Sequence, residues 1–111
     1  MSKESRALTK ELDFLIGPTL LGVACNVRKR IHIDQWSMGG RTPNPDQMNA
    51  MRCVKESLDT IAEDDGYDTA RQWLIGYNDR LGEVPVFAVR RGRCDDVRSA
   101  AQAFARDDVG Y

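Results

Sequence analysis

Apolar positions in the first quarter of the chain fall at helical spacing. Leu8, Leu12 and Leu15 recur every three or four residues within 5–16, with Lys10, Glu11 and Asp13 between them, which lines one face of an α-helix. Gly17 stops this helix, and Pro18 suits the first turn of a second, short and largely apolar, over 18–25. Asn26 marks a turn. A third helix over 28–38 then buries Ile33 and Trp36 and ends at Gly39-Gly40.

The next element is the most strongly patterned. Asn44 is placed to cap a helix, Pro45 to begin it and Gln47 to return the capping bond. Met51, Val54, Leu58 and Ile61 form its apolar stripe, with Arg52, Lys55, Asp59 and Glu63 facing out, and it runs to about residue 64. "EDDG" over 63–66 ends it and divides the chain into a region 1–64 and a module 65–111. A fifth helix sets Ala70, Trp73, Leu74 and Tyr77 on one face. "VPVFAVRRG" mixes strand-forming valines with Pro85 and Gly92 at its ends; the helix is favoured. A last helix over 95–106 packs Val97, Ala100, Ala101 and Phe104, and the tail "DDVGY" frays unless a partner holds it. The pattern predicts an all-α bundle of six to seven short helices.

Composition narrows the class. A chain of 111 residues with 41% hydrophobic and 30% charged residues can bury a core without disulfides or metal. No apolar run reaches membrane-spanning length, and the polar, acid-bearing N-terminus does not read as a secretory signal, so a cytoplasmic protein is expected. Three cysteines without a C-x-x-C pair and a single histidine make a poor metal site; reduced, partly buried thiols are the expectation, with no metal and no cofactor. One histidine, no Ser/His/Asp arrangement and no phosphate-cradling glycine loop argue against an enzyme.

The net charge of −1 argues against a general nucleic-acid binder, but its distribution is uneven. Residues 1–56 hold nine Lys/Arg against six Asp/Glu, and residues 57–111 hold seven against eleven. The basic half contains "CNVRKRIHIDQW", three consecutive cations beside an Ile-Trp anchor. Residues 18–38 have the layout of a helix-turn-helix, whose second helix presents its solvent side to the major groove. Arg28, Lys29, Arg30, His32 and Gln35 then lie on or near that side, with Arg41 just beyond. Arg and Lys suit phosphates and guanine edges, and Gln suits adenine.

"VRKRIHIDQWSMGGRTPNP" resembles the W-x-x-G-x-x-x-P ending of phage-repressor-type helix-turn-helix domains, through Trp36, Gly39 or Gly40, and Pro43. One residue more than the common pattern separates Val27 from Ile33. Downstream, "WLIGYNDRLGEVPVFAVRRGRCDDV" resembles the C-terminal domain of Xre/MbcA/ParS-type antitoxins, through Trp73-Leu74, Asn78, Leu81, Pro85 and Val89-Arg90-Arg91-Gly92. The same residues also serve structurally, as a core aromatic, a loop-capping amide, a helix start and a helix stop. The resemblance spans residues 18–111. It implies a repressor of its own operon, acting as a homodimer or higher oligomer on double-stranded DNA. It also implies a RES-type, NAD-consuming toxin as partner, met by Arg90, Arg91, Arg93 and a tail in which Asp107, Asp108 and Tyr111 approach the toxin's pocket. The same build also fits a stand-alone helix-turn-helix regulator, and the alternative from another class is a protein-interaction module whose degenerate helix-turn-helix does not bind DNA.

Overall fold

The structure is a computed structural model that describes residues 2–106. Its helices are α1 (Ser2–Cys25), α2 (Arg30–Met38), α3 (Pro45–Ile75), α4 (Pro85–Arg90) and α5 (Cys94–Ala105). No strand occurs among the described residues; one isolated antiparallel bridge joins Asn78 and Glu83. The protein is all-helical. The ambiguous valine-rich segment is α4, with Pro85 in its first turn.

Five helices stand where the apolar pattern predicts six or seven, and the difference sits at two glycines. Gly17 (φ 84°, ψ 163°) interrupts α1 and Gly66 (φ 84°, ψ 164°) interrupts α3, in a backbone region essentially reserved for glycine. A Cβ at either position would meet nothing within 4 Å, so the demand is conformational rather than spatial. Each glycine kinks its helix without opening a loop.

Two further boundaries differ from the sequence reading. The third helix begins at Arg30 rather than residue 28, because Asn26 is left-handed (φ 57°) and Lys29 is extended (φ −105°, ψ 124°). Tyr77 does not join Ala70, Trp73 and Leu74 on a buried face. Gly76 leaves the helical region (φ −94°, ψ 152°) and turns the chain outward, so Tyr77 is exposed.

The start of α3 follows its capping signature. Asn44 Oδ1 accepts the Gln47 N–H at 2.8 Å, and Gln47 Oε1 accepts the Asn44 N–H at 2.9 Å. Its stripe of Met51, Val54, Leu58 and Ile61 is buried. Helices α1, α4 and α5 pack on α3, and α2 packs on α1. The resulting core is one apolar cluster that draws on both sides of Gly66, from Leu12, Leu21 and Trp36 to Leu74, Val86 and Val97. All three cysteines are free and buried within it or at its edge. No helix among the described residues is long and apolar enough to cross a membrane.

Gly17→Ala and Gly66→Ala should each lower the unfolding free energy by about 1–3 kcal/mol in a urea titration. Glu63→Ala, exposed on α3, should stay within about 0.5 kcal/mol. Equal stability of the glycine variants and wild type would show that the kinks are not imposed by the backbone.

Candidate nucleic-acid interface

Helix α2 has nine residues, too few to persist alone in water, so its orientation depends on what it buries. Ile33 and Trp36, three apart, are each 2% exposed. The entry to α2 is tight: the Val27 N–H donates to the Gly22 carbonyl at 2.8 Å, and a Cβ on Gly22 would stand 2.8 Å from the Val27 carbonyl oxygen. Gly22 therefore lets the end of α1 and the turn at 26–29 approach. At the other end Gly39 (φ 80°) caps the helix, with N–H contacts to the carbonyls of Gln35 and Trp36.

The predicted DNA-facing residues divide into three groups. Arg28, Lys29 and Arg30 are exposed at the entry to α2, the first two in the turn rather than in the helix. Arg28 and Lys29 form no ion pair among the described residues, and Arg30 reaches only Asp34, at 3.7 Å with both side chains more than half exposed, an arrangement of little energetic weight. His32 and Gln35 are half-buried. The Gln35 Oε1 atom is buried and accepts no hydrogen bond among the described residues, so reading a base would require this side chain to rotate outward. Arg41 is exposed just past the cap, its N–H donating to the Gln35 carbonyl at 3.3 Å.

Helical periodicity assigns the side of α2 opposite Ile33 and Trp36 to positions 31 and 38. Ile31 is 57% exposed and Met38 79% exposed. The sequence reading noted the cations beside the anchor and missed these two apolar residues, although the same 3.6-residue period places them.

The arginines of the C-terminal module also separate. Arg93 is structural: its guanidinium donates to the Leu81 carbonyl at 2.9 Å, to Glu83 at 2.7 Å and to Asp96 at 3.1 Å. These carboxylates, Glu83 first and then Asp96, raise its pKa. Arg91 meets the other Glu83 oxygen at 2.9 Å. Asn78 completes this corner, its Oδ1 accepting the Leu81 N–H at 3.0 Å. Arg90 is exposed and pairs with no acid among the described residues. It lines a cleft of about 410 Å³ together with Arg28, Lys29 and Arg30. A cation expected at the partner surface thus stands beside the triplet expected at DNA. Asp107, Asp108 and Tyr111 lie outside the described residues.

The three free thiols differ in environment. Burial pushes Cys25 up to about 12. Cys53 lies with its Sγ 3.7 Å from the Cys94 carbonyl. A side-chain hydrogen bond between the two thiols, aided by the Arg98 cation, lowers the Cys94 pKa, and the same bond together with burial raises that of Cys53. No group of three His, Cys, Asp or Glu side chains among the described residues could hold a metal ion.

No protein-family model, curated protein or solved structure matches this chain.

The two arginines should respond oppositely to truncation. Arg93→Ala breaks the corner at Leu81 and Glu83 and should lower the melting temperature measurably, whereas Arg90→Ala should leave it unchanged within error. Equal melting temperatures for Arg93→Ala and wild type would remove the structural role assigned to that guanidinium.

Proposed function

We propose that the protein is a DNA-binding transcriptional regulator of antitoxin-like build, which contacts DNA through the helix-turn-helix formed by the end of α1, the turn at 26–29 and α2. One observation carries the reading: Ile33 and Trp36 hold one flank of α2 inside, while Arg28, Lys29 and Arg30 remain in solvent, uncovered by the acidic half among the described residues. Phosphates meet these cations, which fixes register without reading sequence. The outward side supplies Ile31 and Met38 for apolar contact with thymine methyl groups, and Gln35 for adenine once it turns out. A helix this short reads few base pairs, so the proposal includes a homodimer or higher oligomer that spans half-sites about one DNA turn, 34–36 Å, apart.

The C-terminal module is proposed to bind a protein partner, by resemblance a RES-type toxin. The support is the sequence order of Trp73, Asn78, Leu81, Pro85 and Gly92, which here build the buried corner and the short helix α4. The second reading, an interaction module that does not touch DNA, draws its support from Ile31 and Met38. Two exposed apolar side chains on one helix face would also suit a protein surface.

A salt titration of binding to the protein's own upstream DNA separates the two readings. A protomer that meets several phosphates should lose orders of magnitude in affinity between about 50 and 200 mM salt. Arg28→Ala and Arg30→Ala should weaken binding on every sequence, and Gln35→Ala should alter base preference. No complex at either salt concentration would leave the interaction module. For the second half, removal of residues 107–111 should reduce capture of the toxin in a pull-down; undiminished capture would take the tail out of the mechanism.

A further inference from the structure

The cleft at the entry to α2 is built from segments some sixty residues apart in the chain. Its walls are the end of α1 and the turn at 26–29, and its fourth cation, Arg90, is the last residue of α4. Four cations and no acidic side chain line it. The neighbouring arginines show that this is not a generally unpaired surface: Arg91 and Arg93 share Glu83, and Arg98 meets Glu56 at 2.7 Å. The sequence supplies a carboxylate for each of these and none for Arg90, Arg28 or Lys29 among the described residues. Three of the four cations have no counter-charge among the described residues and Arg30 meets only the exposed Asp34, at 3.7 Å, so the hollow favours an anion as its occupant. At about 410 Å³ the hollow has room for a phosphodiester and its hydration.

We propose that this cleft is a phosphate-binding site and that Arg90, from the C-terminal module, closes it over a backbone phosphate of bound DNA. The inference rests on the DNA-binding reading and extends it: the module assigned to a protein partner also takes part in the nucleic-acid contact. Arg90 is a suitable fourth member because its guanidinium offers a planar fork to a phosphate. Its support, α4, is fixed at one end by Pro85 and followed by the left-handed Gly92 (φ 83°). The contact carries no sequence information, so it should act equally on any duplex.

The test uses the full chain and a labelled 20-base-pair duplex of arbitrary sequence, with binding followed by fluorescence anisotropy over a salt series. Arg90→Gln should lower the slope of log affinity against log salt by about 0.9, the value of one phosphate contact. Arg90→Lys should restore most of that slope. Arg80→Gln, which removes an exposed cation outside the cleft, should leave the slope at the wild-type value. An Arg90→Gln slope equal to that of Arg80→Gln overturns the clamp and leaves the DNA reading standing. A second arm titrates pyrophosphate into the protein while backbone amide resonances are followed. Shifts at Gly22, Arg28–Arg30 and Arg90 are expected, and they should weaken in Arg90→Gln. If these shifts occur and the duplex does not bind, the clamp on DNA is overturned, and the regulator reading is decided separately by the titration on the protein's own upstream DNA. If neither the shifts nor duplex binding occurs, the cleft is not a phosphate site.

Discussion

The burial of one flank of α2 by two side chains conditions everything proposed for its other flank. Nine residues cannot hold a helix in water without tertiary support, and Ile33 and Trp36 supply it here at the spacing of a single turn. Loss of the indole would remove a large contact surface, of the kind that costs about 3–5 kcal/mol when truncated in a core. It would also free the helix to rotate. The placement of the cationic entry, the outward position of Ile31 and Met38, and the tight approach of Gly22 to Val27 all follow from that anchoring.

A second constraint acts in the C-terminal part of the chain. Glu83 accepts from both Arg91 and Arg93, and Arg93 in turn ties the loop carbonyl of Leu81 to the start of α5. One carboxylate thereby fixes the geometry of the 76–84 loop, the end of α4 and the first turn of α5. The pairing also decides which arginine remains available. Charge complementarity is used up locally at two positions and left open at a third, and the open one faces the N-terminal region.

Much of this was readable from the amino-acid order. The capping box at Asn44 and Gln47, the stripe of α3, the start of α4 at Pro85 and the anchoring pair in α2 each depend on residues within one or two turns, where periodicity and local hydrogen bonding decide the outcome. What could not be read depends on distant or rare backbone states. Gly17 and Gly66 look like helix stops in sequence, yet a glycine-only conformation lets each helix kink and resume. The start of α2 slipped by two residues because Asn26 adopts a left-handed turn that spacing alone does not reveal. The approach of Arg90 to the triplet is a matter of how α4 lies on α1, which no local pattern encodes.

The cationic hollow also bears on the ligand-free protein. Two unit charges 4 Å apart repel by roughly 1 kcal/mol in water and more where solvent is displaced. The four cations of the hollow are all exposed to water, which screens this repulsion and leaves its cost to the fold small. A polyanion that settles there releases the small anions these cations gather, so part of its affinity originates in that release rather than in the contacts themselves.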